Sequence, residues 1–188
     1  MLKWLARLLF YKIFFRVEVV NYENIKDVKG GIMCPNHTTW MDGVFMWAIK
    51  GRKMYAMAKA EIFKNPIVGW FCKNVLYMFP INRGGKDFKS VLHAVNLVQE
   101  GKMVVMFPEG TRNGLAKGIK PKVGAVFIAT KAGVPVIPVK IVGTQKLFSK
   151  VKIIIGKPMT FEYKENDKKY LRDCTDKLMD EIINMKEG

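Results

Sequence analysis

Short apolar runs and longer stretches with apolar residues every three or four positions take turns along this chain. "FFRVEVVNYENI" alternates and is rich in β-formers, which predicts a strand. "GGIMCPN" predicts a short buried strand running into a loop. "TWMDGVFMWAIK" has the length and period of a helix, with Thr38 or Thr39 as its N-cap. "KMYAMAK" and "VLYMFPIN" read as strands on either side of a turn or short helix in "NPIVGWFCKN". An amphipathic helix follows in "DFKSVLHAVNLVQEG", beginning after Gly84-Gly85 and stopping at Gly101. "KMVVMFPEGTRNG" is a strand that breaks into a glycine-containing loop, and "VGAVFIATKAG" is helical up to its closing glycine. "VPVIPVKIVG" and "KVKIIIGKPMTF" predict two more strands, and Asp167 to Lys186 a final amphipathic helix.

Strands that alternate with helices predict a single-domain α/β sandwich, its largely parallel or mixed sheet flanked by helices. In such sheets the working loops lie beyond the carboxyl ends of the strands. "PNHTTWMD", "INRGG" and "PEGTRN" each follow a predicted strand directly, so three polar loops are expected to converge on one edge.

Residues 1–16 stand apart from residues 17–188, the expected globular domain. Lys3, Arg7, Lys12 and Arg16 interrupt the apolar run too often for a spanning helix, which needs about 20 mostly apolar residues. No small-residue cleavage site follows, which argues against a signal peptide. The expectation is a basic amphipathic helix on a membrane surface, with Leu2, Leu5, Leu8, Leu9 and Ile13 on its apolar side.

A hydrophobic content of 49% in 188 residues supports one sizeable core and excludes a disordered chain. Lys+Arg 32 against Asp+Glu 16 leaves +16, which favours anionic partners: nucleic acid, membrane, phosphorylated substrates or acidic carrier proteins. Nucleic acid fits poorly, because the lysines are scattered and the aromatics lie mostly in apolar runs. Cys34, Cys72 and Cys174 form neither a disulfide framework nor a metal-binding CxxC, and a reducing intracellular compartment is the simpler reading. Cys34 reads as buried filler, with a reactive thiol as the alternative.

The chemistry centres on His37 and Asp42. Five residues of regular helix turn through about 500°, which would leave these side chains ~140° apart. They meet only if His37 lies in the loop before the helix and Asp42 in its first turn. An aspartate on one ring nitrogen fixes the tautomer and frees the other nitrogen to take a proton. The same spacing also fits a capping histidine beside an exposed aspartate. His93 lies inside an amphipathic helix and no HExxH or Cys/His cluster exists, so no metal site is expected. Arg112 suits bidentate phosphate binding, and Gly110 would let backbone N–H groups approach an anion. Arg83 offers a second guanidinium beside two glycines. A base, anion clamps and an apolar wall suit acyl transfer to a hydroxyl of a phosphate-bearing substrate. Phe45, Trp47, Phe63 and Trp70 are candidates for that wall, core packing being the simpler role of each. A hydrolase with the same dyad, or a lipid-binding module without catalysis, stays open on these residues alone.

The order "NHTTWMD", "INR", "FPEGTR" and "VPVIPV" resembles the glycerolipid acyltransferase family, most closely its 1-acyl-sn-glycerol-3-phosphate acyltransferases, over about Val17 to Pro158. The resemblance implies that His37 and Asp42 are a catalytic H-x4-D pair. It implies that Glu109, Gly110, Thr111 and Arg112, with Arg83, bind the acceptor's phosphate, and it adds Lys59 to that set. Tyr77 departs from the pattern, since the second block usually has glycine there. The implied reaction moves an acyl group from acyl-CoA or acyl-carrier protein to the sn-2 hydroxyl of lysophosphatidic acid, without metal or cofactor, giving phosphatidic acid. The alternatives are another lysophospholipid acceptor or a non-catalytic basic lipid-binding module. The implied location is peripheral, on the cytoplasmic face of the cell membrane, bound to anionic lipid and not to nucleic acid.

Overall fold

The computed structural model describes residues 15–186 except 50, 52, 83–86, 144, 145 and 147. The expected membrane-surface helix of residues 1–16 therefore lies almost wholly outside the described residues. In chain order the strands are β1 (Val17–Val20), β2 (Gly31–Pro35), β3 (Met54–Lys59), β4 (Met78–Ile81), β5 (Met103–Val105), β6 (Val136–Gly143) and β7 (Val151–Ile155). The helices are α1 (Asp42–Phe45), α2 (Pro66–Asn74), α3 (Phe88–Gln99), α4 (Gly124–Ala132) and α5 (Lys168–Asn184). One sheet runs in the order β1-β7-β6-β2-β5-β3-β4. From β6 to β4 neighbouring strands are parallel, whereas β7 pairs antiparallel with β6 and parallel with β1. The expected mixed α/β sandwich is thus five parallel strands with a reversed pair at one side.

Strand β2 is buried along its whole length, because both faces of the sheet are covered. Met33, Val105, Ile137 and Ile153 face a cluster with Ile25, Phe45 and Met46. Ile32, Cys34, Val104 and Val136 face the other way, onto α3, α4 and α5. Phe15 closes the first cluster edge-on against Phe45, ring centroids 5.3 Å apart. Among the described residues no helix is long and apolar enough to cross a membrane.

Two expectations change. The helix read from "TWMDGVFMWAIK" is one α-turn followed by a 3-10 turn at Met46–Ala48, and the chain becomes extended at Ile49. Gly43 weakens the helical preference, and the αL turn at Gly51 ends the segment. Neither threonine caps it, since Met41 holds the N-cap position without a side-chain bond. Trp70 is not core either: it lies on the outer side of α2 and is 64% exposed. Phe45, by contrast, is buried as expected.

The five parallel strands point their carboxyl ends to one edge. There β2 leads into His37, β5 into residues 106–114, β3 ends at Lys59, and β4 ends at Ile81 beside it in register. For "PNHTTWMD" and "PEGTRN" the predicted convergence follows from that parallel order, while residues 83–86 of the third loop lie outside the described residues.

Candidate active site

His37 sits in the loop after β2, and Asp42 is the first residue of α1. Their side chains meet, with Nδ1 3.0 Å from Oδ2. The same Oδ2 accepts the Thr38 and Thr39 amide N–H groups at 2.7 Å each, and Oδ1 accepts the Thr39 hydroxyl. The expected capping is therefore inverted: the carboxylate reaches back to the threonines. It is only 1% exposed, and every bond it makes is to a donor. That leaves Nδ1 as an N–H donor and puts the lone pair of the neutral ring on Nε2. No described protein group bonds Nε2. The ring stacks on Phe107, centroids 4.1 Å apart and planes at 28°, and the side chain stays 19% exposed.

A second carboxylate holds the backbone of the same residue. Glu109 Oε1 accepts the His37 amide N–H at 2.8 Å, and Oε2 accepts that of Leu115 at 3.2 Å. The His37 carbonyl in turn accepts the Asn113 N–H at 2.6 Å. Asn36 extends the pairing of β2 with β6: its side chain accepts the Ile141 N–H at 2.7 Å and donates to the Ile141 carbonyl at 3.1 Å. His37 is thus fixed at its ring, at both backbone groups and at the residue before it. Phe107, Asn113 and Asn36 were not singled out by sequence. Their adjacency to "PEGTR" and to His37 was the one available signal.

These contacts involve two of the residues that the resemblance places at the phosphate. Glu109 is buried with its oxygens turned to backbone donors, so it braces His37. Gly110 donates its own N–H to the Phe107 carbonyl at 3.0 Å and adopts φ +67°, so its part is to turn the chain. The Lys122 side chain crosses the space that a Cβ on Gly110 would occupy. Arg112 is exposed, and no described carboxylate pairs with it; its carbonyl accepts the Lys117 ammonium at 3.0 Å. Thr111 is half-buried beside it, and Lys59 is exposed at the end of β3. Arg83 lies outside the described residues. Both flanks of its segment are tied by Asp87, which accepts the Asn82 N–H at 2.9 Å and the Ser90 N–H at 3.1 Å. These bonds hold the Asp87 carboxyl below its ordinary value.

Cys34 is fully buried, and burial pushes its thiol pKa far up, which suits filler and not a nucleophile. His93 is exposed on α3 and meets the edge of Phe79. Among the described residues no cluster of three His, Cys, Asp or Glu side chains could hold a metal.

With this geometry in place, a family model described as Acyltransferase matches residues 16–142. The chain belongs to the acyltransferase family. The Bacillus subtilis 1-acyl-sn-glycerol-3-phosphate acyltransferase is 33% identical over 149 residues, 76% of this chain and 73% of that protein. The Streptococcus pneumoniae protein of the same name is 33% identical over 118 residues, 62% and 43% of the two chains. The chain spans less than half of the chloroplastic Brassica napus relative, 46% of it at 28% identity. The crystal structure of the Thermotoga maritima 1-acyl-sn-glycerophosphate acyltransferase PlsC is similar, with a TM-score of 0.64 and 28% identity over 92% of this chain and 74% of that one. In this acyltransferase Tyr77 holds φ +49°, the left-handed backbone that a glycine would take freely. Its ring lies near the Lys53 ammonium and tilts against Tyr55.

Proposed function

We propose that this acyltransferase transfers an acyl group from acyl-CoA or acyl-carrier protein to the sn-2 hydroxyl of 1-acylglycerol-3-phosphate. His37 Nε2 takes the hydroxyl proton as the oxygen attacks the thioester carbonyl. The tetrahedral intermediate collapses, the C–S bond breaks, and the imidazolium returns the proton to the leaving thiolate. Asp42 orients the ring and stabilises the imidazolium. General-base assistance contributes about 10²- to 10⁴-fold, so positioning supplies much of the rest. Arg112, with Arg83 and Lys59, holds the acceptor's phosphate at the strand-end edge.

The observation that carries this reading is the buried Asp42 carboxylate on Nδ1, with Nε2 bonded by none of the described protein groups. The names of the Bacillus and Streptococcus relatives support lysophosphatidic acid as the acceptor. The net charge of +16 suits either donor, since both are anionic. It also suits peripheral attachment to the cytoplasmic face of the membrane, to which residues 1–16 would contribute. The test is an assay of the purified chain with lysophosphatidate and each donor in turn. Phosphatidate is the expected product. Free fatty acid released without acceptor would make the protein a hydrolase, and no turnover with either donor would contradict the proposal.

A further inference from the structure

Helix α2 and the turn before it carry their apolar side chains outward. Ile67 is 79% exposed and Trp70 64%, and Ile62, Val68 and Phe71 are each exposed by 40% or more. This is a well-held helix. Asn65 caps it by accepting the Ile67 and Val68 N–H groups at 3.0 and 3.1 Å. Gly69 faces inward so closely that a Cβ there would stand 2.9 Å from the Phe63 carbonyl oxygen. Cys72, one turn later, is also buried. Ile67, Trp70 and Phe71 lie three and four positions apart and share the opposite face. Single exposed apolar residues are ordinary on a protein surface, but a contiguous group marks a contact surface.

Charge identifies what covers it. Lys59, Lys64 and Lys73 are exposed around the patch, with Glu61 as the single acid between residues 59 and 74. A second copy docking the same face would bring lysines against lysines. An anionic lipid surface meets both parts of the patch. Lysines pair with headgroups, the aliphatic side chains enter the acyl boundary, and the indole of Trp70 suits the interface between them. We propose that the outer face of α2 docks this protein on an anionic bilayer. The turn leading to α2 leaves β3 at Lys59, on the edge that holds His37, so docking brings that edge to the lipid. This last step rests on the acyltransferase reading, because it concerns where the acceptor is met.

The test uses the full chain carrying Ile67→Cys and an environment-sensitive fluorophore. The native cysteines are all buried, so the new thiol is the one that labels readily. Vesicles of phosphatidylcholine with phosphatidylglycerol are expected to shift the emission to the blue and raise it, and pure phosphatidylcholine to do so weakly. The unlabelled variant Ile67→Ser/Phe71→Ser is expected to lose vesicle binding by roughly tenfold. Its turnover on a monomeric short-chain lysophosphatidate should stay unchanged, while KM for acceptor presented in vesicles rises. Emission indifferent to vesicles would overturn the proposal. So would emission that rises with protein concentration in the absence of lipid, which would assign the face to a second copy. A label already shielded in dilute, lipid-free protein would assign it to the chain's own N-terminal segment and overturn the proposal equally. The vesicle measurement needs no catalysis. An inactive protein that binds vesicles would therefore sink the acyltransferase reading alone, and an active one whose label ignores lipid would sink the docking alone.

Discussion

Asp42 and Glu109 are the buried carboxylates among the described residues, and both act on His37, one through its ring and the other through its backbone. Asp42 lies five residues away on the same strand-to-helix turn. Glu109 comes from another loop, 72 residues further on. Among the described residues neither meets a basic side chain other than His37 itself; backbone N–H groups and the Thr39 hydroxyl do the rest. In the proposed mechanism the difference is one of timing: a proton arriving on His37 would change the charge opposite Asp42 directly, whereas Glu109 would see only a peptide group that does not change. Asp42 should therefore govern the chemical step, and Glu109 the precision with which the ring is presented.

Replacing each acid by its amide tests that division. Asp42→Asn keeps an oxygen at the Oδ2 position for the threonine amides and Nδ1 and turns its NH2 to the Thr39 hydroxyl, but it removes the negative charge that would stabilise the imidazolium. We expect kcat to fall by about 10²- to 10⁴-fold with little change in acceptor KM, measured by steady-state kinetics. Glu109→Gln leaves either the His37 or the Leu115 N–H facing an NH2. The cost is about 1–3 kcal/mol of stability in denaturant unfolding, with kcat reduced by about tenfold through a displaced ring. Equal kcat losses for the two variants, with stability unchanged, would erase the distinction. Arg112→Ala touches neither brace and should raise acceptor KM far more than donor KM; equal effects on both would argue against the phosphate clamp.

Asp87 is the half-buried counterpart of these braces, tying Asn82 to the start of α3 across residues 83–86. Its carboxyl is held below its ordinary 3.8 by the Asn82 and Ser90 bonds. A depressed carboxyl adds stability that is present above its ordinary value and lost as pH falls through the folded one. Asp87→Asn should thus lower Tm slightly at neutral pH and flatten its decline in acid. The change should be the smallest of the set, readable by thermal denaturation across pH.

Much of this architecture was legible in the sequence, and the reasons are local. β2 and β5 are continuous apolar runs because both faces are covered, β6 is one until Lys140, and α3 and α5 carry clear helical periods with Asp87 and Asp167 as caps. His37 and Asp42 could be paired because their separation permits one geometry at a strand-to-helix turn. The bracing by Glu109 was not legible, because its partners are backbone amides from Leu115 and a distant His37, which no spacing reveals. The threonine caps failed because Asp42 reaches back to accept both threonine amides and the Thr39 hydroxyl, and the helix begins only after Met41. Trp70 was misread because an apolar residue at helical spacing looks alike whether its face meets core or solvent.

The central claim is that Asp42 acts through His37, and a two-variant comparison tests it most directly. His37→Ala, shown to be folded by its unfolding transition, should lose at least about 10²-fold in kcat. Adding Asp42→Asn to it should then cost almost nothing further, because residues acting as one unit are not additive. Near wild-type turnover in folded His37→Ala, or a second loss as large as that of Asp42→Asn alone, would contradict the account.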